Sequence, residues 1–211
     1  MVSDTQKTNE RVMKNYVISI GRELGSGGKE IAEKLAHKLG IPVYDKKLLE
    51  AAAQESGIDA SAFEHADEKE STSFFGNILG YIGGSNDSYM ASDRLFQIQS
   101  EAMRNIAGQC SCITVGRCSE YVLREHNCLI SIFITADRND RIQRIMQKDG
   151  LDEQAAIERM QKGDKQRRSY HDYYATTEWG AARTYDLCIN SSRLGIDGTV
   201  DFIFEYVKRL W

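Results

Sequence analysis

Tyr16-Val-Ile-Ser-Ile-Gly-Arg-Glu-Leu-Gly-Ser-Gly-Gly-Lys29-Glu-Ile-Ala32 leads from a short apolar run, through glycines, into a helical pattern. The run 17–20 predicts a buried β-strand, and residues 25–29 form the turn that follows it. In such a turn, backbone N–H groups point into one hollow, and the next helix start adds partial positive charge. Glycines leave room for a phosphate to approach. The segment therefore predicts a phosphate site, with Lys29 able to reach the outer phosphates of a nucleotide.

The match to the P-loop pattern is incomplete. The candidate nucleotide-binding residues are Gly25, Ser26, Gly27, Gly28, Lys29 and Glu30. The strict pattern has a glycine five residues before its last glycine and a serine or threonine after the lysine. This chain has Glu23 and Glu30 at those positions, and Ile31 follows. An ordinary glycine-rich connection between strand and helix therefore remains an alternative for this segment alone.

Length and composition limit the classes of function. The 211 residues, 41% of them hydrophobic, suit one domain or one domain with an insertion. A net charge of −4 gives no overall attraction to nucleic acid or to an anionic membrane. The N-terminus has no apolar signal region, and no apolar run approaches the roughly 20 residues of a membrane span. We expect a soluble cytoplasmic protein with a small-molecule substrate, either a monomer or a homodimer.

Cysteines and histidines give no metal signature. The odd number of cysteines and the lack of a C-x-x-C pair favour buried thiols over disulfides or a zinc site. These cysteines are Cys110, Cys112, Cys118, Cys128 and Cys188. The four histidines have no ligand spacing, so structural or surface roles are expected and no metal site is predicted. They are His37, His65, His126 and His171.

The rest of the chain alternates between strand and helix patterns. Residues 1–15 are predicted as an N-terminal arm and 16–211 as one α/β domain. Helices are predicted from residue 28 to Gly40, at 46–56, 60–70 and 88–107, after Thr135, from near Asp152, and at Thr199–Trp211. Strands are predicted at Ile41–Asp45, Cys112–Val115, Leu129–Thr135 and Leu187–Ile189. This order predicts a parallel sheet with a helical insertion at about 46–108 and a lid region at about 150–184.

An aromatic, glycine-rich loop at 71–87 has no assigned role within the insertion. Phe74, Phe75 and Tyr81 alternate there with glycines. A lid, a dimer contact and a membrane-facing wedge all remain possible. The absence of a basic cluster makes the membrane wedge the least favoured of the three.

Basic residues occur where a phosphate enzyme needs them. Arg117 follows the third strand, at the end where ligands gather in open α/β sheets. Arg138, Arg141, Arg144 and Lys148 share one face of a predicted helix. Asp164, Arg167 and Arg168 lie together on the next predicted helix, where Asp164 can pair with Arg168 one turn further along. A solvated helix face is the alternative for each group. Phosphoryl transfer spreads negative charge over oxygens, and one well-placed arginine contributes roughly 10³–10⁵ in rate.

These pieces together resemble the cytidylate-kinase-like family, a branch of the P-loop nucleoside monophosphate kinases. The resemblance runs from about Tyr16 to the C-terminus and is weakest in the insertion. The matching segments are Gly25-Ser-Gly-Gly-Lys-Glu-Ile-Ala32, Leu39-Gly-Ile-Pro-Val-Tyr-Asp45, Val115-Gly-Arg117, Asp164-Lys-Gln-Arg-Arg168 with Tyr173-Tyr174, and Tyr185-Asp-Leu-Cys-Ile-Asn-Ser-Ser-Arg-Leu194.

The resemblance implies a three-layer P-loop kinase-like fold with a five-stranded parallel sheet, ATP and Mg²⁺ at the glycine loop, and CMP or dCMP as acceptor. By position, residues 25–29 would hold the donor phosphates and Asp45 would place the acceptor nucleotide. Arg117 would meet the acceptor phosphate, and Asp164 with Arg168 would form the lid pair. Members of the family have serine or threonine shortly after the lysine, and an aspartate before the Gly-Arg pair. This chain has Val115 in place of that aspartate, so Mg²⁺ must depend on phosphates, water, and Ser26 or Asp45.

Two classes of function follow. The first is a nucleoside monophosphate kinase that transfers the γ-phosphoryl group of ATP to a CMP-like acceptor. Lys29 and the loop amides would hold the phosphates, while Arg117, Arg168 and Arg141 would neutralise charge in the transition state. The second is a P-loop nucleotide sensor or regulatory module with little turnover, which the missing hydroxyl after Lys29 favours. A kinase for another small molecule is a variant of the first class.

Overall fold

The structure, a computed structural model, describes residues 15–46 and 86–210. Its strands are β1 Val17–Arg22, β2 Val43–Tyr44, β3 Cys112–Val115, β4 Leu129–Thr135 and β5 Leu187–Asn190. They pair in parallel, in the order β2–β3–β1–β4–β5. The predicted α/β fold with a five-stranded parallel sheet is confirmed.

Helices connect the strands. Within the described residues they are α1 Gly28–Leu39, α2 Asn86–Gln109, α3 Ser119–Val122, α4 Arg138–Asp149, α5 Glu153–Tyr174 and α6 Ser191–Leu210. A 3-10 turn, Ala182–Thr184, precedes β5. α1 ends as predicted at Gly40, which adopts φ 67° and donates its N–H to the carbonyl of His37.

β1 lies at the centre of the sheet and is covered on both faces, as parallel sheets require. Ile18 and Ile20 pack with α1 and α6, and both are fully buried. Val17 faces the other side, where it packs with residues of α2 and α3. At roughly 1.5–3 kcal/mol for each large apolar side chain removed from water, this double burial makes β1 the main anchor of the fold.

The register of the strands decides which residues meet. Ile20 of β1 lies beside Val115 of β3, and Arg22 lies beside Ile134 of β4. The loops that leave β1 and β3 therefore start next to each other at the carboxyl edge of the sheet. Ligands of open α/β sheets bind at this edge.

Several predicted boundaries were wrong. α6 starts at Ser191 rather than Thr199, and Gly195 interrupts it with φ 67° and ψ 179°. The apolar stripe of this helix begins only after Gly195, so the sequence pattern predicted only the part of the helix that follows the break. β1 extends two residues further than predicted, and β2 has only two residues.

Some predictions fall largely outside the described residues. These are the arm at 1–15, the helices at 46–56 and 60–70, and the aromatic loop at 71–87, whose residues 86–87 belong to α2. The cysteine prediction holds in part: all five thiols are free, and Cys112 and Cys118 are buried, whereas Cys188 on the edge strand β5 is exposed.

Candidate functional site

The glycines of the loop after β1 are held tightly against the protein. Gly25 and Gly27 have φ values of 80° and 78°, in the left-handed region. A Cβ on Gly25 would lie 2.6 Å from the carbonyl oxygen of Arg141, and one on Gly27 would lie 2.2 Å from Cδ1 of Ile196. Conformation and close packing therefore require glycine here, in addition to any need for phosphate access.

The loop presents backbone N–H groups at the start of α1. The N–H groups of Lys29 and Glu30 have no acceptor in the described part of the chain. The N–H of Gly28 lies 3.4 Å from the hydroxyl oxygen of Ser26. Unsatisfied N–H groups and the helix dipole make this end of α1 favourable for an anion.

The loop is braced by hydrogen bonds from distant segments. The buried Ser26 hydroxyl donates to the carbonyl of Glu23 at 2.9 Å, and the Ser191 hydroxyl donates to the carbonyl of Ser26 at 2.7 Å. Asp164 accepts from the N–H of Leu24 at 2.8 Å and also pairs with Arg141. These contacts give the loop a fixed shape without a ligand.

Arg141 contacts the loop rather than the cavity described below. Its Nε donates to the carbonyl of Leu24 at 2.7 Å, and its Nη1 lies 3.1 Å from the carboxylate of Glu23. Its side chain is only 9% exposed. The structure thus places Arg141 and Asp164, both predicted to act on the reacting groups, against the backbone of the glycine loop. This is the geometry of positioning residues.

Lys29 and Asp45 are brought together, although they come from different elements. Lys29 Nζ lies 2.9 Å from the Asp45 carboxylate and 3.8 Å from Glu33. The hydrogen bond to Asp45 is the main cause that raises the pKa of Lys29. Lys29 is therefore a charged, half-exposed group beside the loop.

A cavity of about 300 Å³ lies beside the loop at the carboxyl edge of the sheet. Gly21 and Val115 form its base, at the ends of β1 and β3. α5 covers it with residues that include Gly163 and Tyr170, and Leu24 of the glycine loop forms part of its wall. The cavity and the loop are thus neighbours that share this edge.

Arg117 reaches this cavity from an unusual turn after β3. Gly116, Arg117 and Cys118 all have positive φ, at 74°, 61° and 55°. A non-glycine residue held in this region costs on the order of 1–3 kcal/mol, and such strain concentrates at functional sites. The Arg117 Nε donates to buried Gln99 of α2 at 2.8 Å, and the guanidinium lies 4.2 Å from the centre of the Tyr170 ring.

Arg22 and Arg167 bring two more guanidinium groups to the cavity. Arg167 Nη1 donates to the backbone carbonyl of Arg22 at 3.0 Å. Burial, followed by the charges of Arg167 and Arg117, lowers the pKa of Arg22 to about 9. Burial also lowers the pKa of Arg167. Within residues 15–46 and 86–210, none of these three arginines forms an ion pair with a carboxylate. The described lining of the cavity therefore carries an excess of positive charge.

Glu120 and His171 form a buried pair at the other end of the cavity. His171 Nε2 lies 2.8 Å from Glu120 Oε1, and Asp172 lies 3.4 Å from Nδ1. Burial lowers the pKa of His171, but the hydrogen bonds and charges of the two carboxylates outweigh it, so the net shift is upward. The pair links α5 to α3, which agrees with the structural role expected for this histidine.

A model of the cytidylate kinase-like family matches residues 17–193. The chain belongs to the cytidylate kinase-like family. A solved structure of an uncharacterized protein from Eubacterium ventriosum ATCC 27560 shares 31% identity, with a TM-score of 0.71, over 92% of this chain and 99% of that one. Shikimate kinase from Bacteroides thetaiotaomicron has 12% identity and a TM-score of 0.51 over 92% and 98%, a likeness of fold alone. No curated protein matches the chain.

This cytidylate kinase-like protein has no helix, among those described, with the length and apolar character needed to cross a membrane. The family and the P-loop kinase fold support a kinase-like role on a small molecule or nucleotide.

The residues near the loop do not fit a protein-bound Mg²⁺. Ser26 is buried and donates its hydroxyl to a carbonyl, and Asp45 is bound by Lys29. Glu30 pairs with Lys34 at 3.1 Å, and Ile31 is fully buried in the core. The described residues also contain no group of three or more histidine, cysteine, aspartate or glutamate side chains that could hold a metal.

The structure separates the predicted lid residues. Arg168 does not line the cavity: its guanidinium lies 5.6 Å from the centre of the Trp179 ring, and no ion pair joins it to Asp164. Arg167, its neighbour, faces the cavity instead. The signal was present in the sequence, because cavity residues of α5 recur at helical spacing. They are Arg159, Gly163, Gln166, Arg167, Tyr170 and His171.

The aromatic residues of α5 and of the segment after it mostly pack on each other or on other parts of the protein. Trp179 and Tyr185 contact Phe133, with ring centres 5.2 and 5.0 Å away. Tyr174 stacks on Phe96 of α2 at 3.9 Å. These contacts fix α5 and the segment after it against the rest of the molecule.

Proposed function

We propose that the protein transfers the γ-phosphoryl group of ATP to a small phosphate-bearing acceptor such as CMP or dCMP. The observation that carries this proposal is a set of three arginines, Arg22, Arg117 and Arg167, around a cavity beside the glycine loop. None of the three pairs with a carboxylate of the residues that the structure describes. Such charge favours an anionic ligand, because partly burying cations without a nearby counter-ion is unfavourable. A P-loop kinase fold and the family membership supply the reaction class.

In this proposal the two halves of the site hold the two substrates. The N–H groups at residues 28–30 and the Lys29 ammonium hold the donor phosphates, for which Lys29 leaves Asp45. Arg117 and Arg167 hold the acceptor phosphate inside the cavity, and Asp45 helps to place the acceptor. Lys29 and the guanidinium groups then stabilise the charge on the transferred phosphoryl group.

The chemistry requires no covalent intermediate with the protein. An oxygen of the acceptor phosphate attacks the γ-phosphorus of ATP, forming one P–O bond while the bond to the β,γ-bridging oxygen breaks. ADP leaves with the electron pair of that bond. The attacking oxygen is already ionised at neutral pH, so no general base is needed. α5 covers the cavity and limits the access of water, which would otherwise accept the phosphoryl group.

The test is ADP formation from ATP with a panel of acceptors, including CMP, dCMP, UMP, AMP, GMP and non-nucleotide phosphates. Turnover with at least one acceptor is expected, and Lys29→Ala should reduce it by at least about 10³-fold. Lys38→Ala is the matched control, since Lys38 lies on the same helix and pairs with Asp201 away from the loop. ATP binding without turnover on any acceptor would refute the kinase assignment.

A nucleotide sensor or regulatory module is the second candidate. The specific observation in its favour is that the described residues near the loop offer no free ligand for Mg²⁺, because efficient kinases use the metal to neutralise developing charge. The same panel separates the two functions: a sensor binds ATP and shows no acceptor-dependent ADP formation. Turnover restricted to a non-nucleotide acceptor would identify a kinase for another small molecule.

A further inference from the structure

Arg22 occupies the junction between the glycine loop and the cavity. A Cβ on Gly28 of the loop would lie 2.7 Å from the Cβ of Arg22, and one on Gly116 after β3 would lie 1.9 Å from Arg22 Nη1. The Arg22 side chain thus extends from Gly28 to Gly116, where the lack of a Cβ leaves room for it. This path leads from the donor side of the proposed site to its acceptor side.

The electrostatic surroundings of Arg22 support the same placement. Its charge acts on Lys29 at the glycine loop, and the charges of Arg117 and Arg167 act on Arg22. Asp45 and Glu120 attract it, but neither forms an ion pair with it in the described part of the chain. No hydrogen-bond acceptor for its guanidinium is found there either. This partly buried guanidinium therefore has no carboxylate counter-ion within residues 15–46 and 86–210.

The oxygen atoms that might hold a metal at this junction are already engaged. Ser26 donates its hydroxyl to the Glu23 carbonyl. The carboxylates of Asp45 and Glu23 are bound by Lys29 and Arg141. The junction therefore contains a fixed cation between the glycine loop and the cavity, and the oxygen atoms of Ser26, Asp45 and Glu23 beside it are already bound by protein groups.

We infer that Arg22 binds the phosphate groups at this junction directly, so that the protein binds a polyphosphate without help from a protein-held metal. This inference rests on the proposed function for the identity of the natural ligand, ATP. Arginine suits the role because its planar group offers several donors to phosphate oxygens and stays charged. Mg²⁺ reduces the charge of ATP and gains no ligand from the described residues, so it should not tighten binding.

The test is calorimetric binding of ATP and of inorganic tripolyphosphate, each in EDTA and in excess Mg²⁺. For the wild-type protein, we expect dissociation constants that agree within about threefold between the two conditions, or that are lower in EDTA. Arg22→Met should weaken binding about 10–100-fold in both, the usual effect of losing charge-assisted hydrogen bonds. Arg22→Lys, which keeps the charge, should lose less.

Arg124→Met is the matched control. Arg124 follows α3, is half-exposed, and stacks on Tyr121 of that helix. This variant should bind like the wild type. Thermal unfolding of each variant checks folding, and the comparison of EDTA with Mg²⁺ on the wild-type protein needs no variant at all.

The outcomes separate this inference from the proposed function. Binding of ATP more than about tenfold tighter with Mg²⁺, or unchanged binding in folded Arg22→Met, overturns the inference and leaves the kinase proposal standing. Metal-independent binding without acceptor turnover supports the inference and refutes the kinase. Failure of both ATP and tripolyphosphate to bind under either condition overturns both.

Discussion

The glycine loop and the arginine-lined cavity are neighbours built in opposite ways. In the loop, polar groups are matched within the protein: Asp164 binds Arg141 and the N–H of Leu24. In the cavity, Arg22 and Arg167 face each other's charge without a carboxylate partner among the described residues. The loop thus has a shape that does not depend on ligand, whereas the cavity presents guanidinium groups that no carboxylate of the described residues pairs with directly.

This difference predicts how the two regions respond to substitution. Changes in the loop should lower the free energy of unfolding, because they break contacts that hold the fold. Changes in the cavity should lower activity with little loss of stability, since removing an unbalanced charge costs the folded protein little.

The largest effect is expected from the adjacent arginines of α5. Arg167→Met should lower kcat/KM for the acceptor by about 10³-fold, because it removes a guanidinium that faces the cavity. Arg168→Met should change it less than about threefold, since that residue lies over Trp179. Steady-state kinetics on both variants measures the contrast. The opposite ranking would restore the assignment of Arg168 as the reacting lid residue.

The second-largest effect is a loss of stability when alanine replaces a glycine that has a left-handed backbone conformation. Gly25→Ala should lower the free energy of unfolding by about 3 kcal/mol, because the new methyl group adds a clash with the Arg141 backbone to an unfavourable φ. Gly40→Ala has the same conformational cost but nothing within 4 Å, so about 1 kcal/mol is expected. Urea unfolding measures both. Equal losses would mean that the loop can shift away from Arg141.

A smaller loss of unfolding free energy is expected when the Asp164–Arg141 pair beside the glycine loop is broken. Asp164→Asn removes the charge paired with Arg141, a group only 9% exposed, and should cost about 2 kcal/mol of stability. Arg141 keeps Glu23 as a second partner, which limits the loss. Asp201→Asn, which disrupts an exposed pair with Lys38, should cost below about 0.5 kcal/mol. Equal losses of unfolding free energy for Asp164→Asn and Asp201→Asn in chemical denaturation would show that the Asp164–Arg141 pair does not stabilise the loop.

The smallest effect is a pH dependence from His171. Its pKa is raised in the folded protein, so the folded state binds this proton more tightly than the unfolded state. The stability it contributes is fully present below its unfolded pKa of about 6.5 and disappears as pH rises through the raised folded value. The stability difference between wild type and His171→Gln should shrink over that range. A difference independent of pH would exclude a protonated His171.

The glycine loop could be predicted because its signals are local. Strand, glycines and helix follow each other within residues 17–39, and each depends on its own neighbours in sequence. Arg117 was found for a similar reason, since it directly follows an apolar run that predicts a strand. The same local pattern indicated the sheet itself, through the alternation of strands and helices.

Arg22 was missed because its importance arises only from tertiary structure. In the sequence it is one of several polar residues after a strand. Its position depends on the pairing of β1 with β3, which places it over Gly116. Arg167 was passed over in favour of Arg168 because the pairing rule for helices connected Arg168 to Asp164. The packing of α5 on α4, through Met160 and Ile145, decides the actual orientation.

The central position of β1 also bears on how the polypeptide is made. Its partner β3 comes about 95 residues later in the chain. The hydrogen bond from the Tyr16 N–H to the Ser111 hydroxyl, which joins the starts of the two strands, spans 95 positions. At roughly 5–20 residues per second, translation takes on the order of 5–20 s to supply that partner. Throughout this interval β1, whose residues 17–20 are fully buried in the folded protein, has no strand to pair with, so nascent chains of this length should be the ones that engage chaperones.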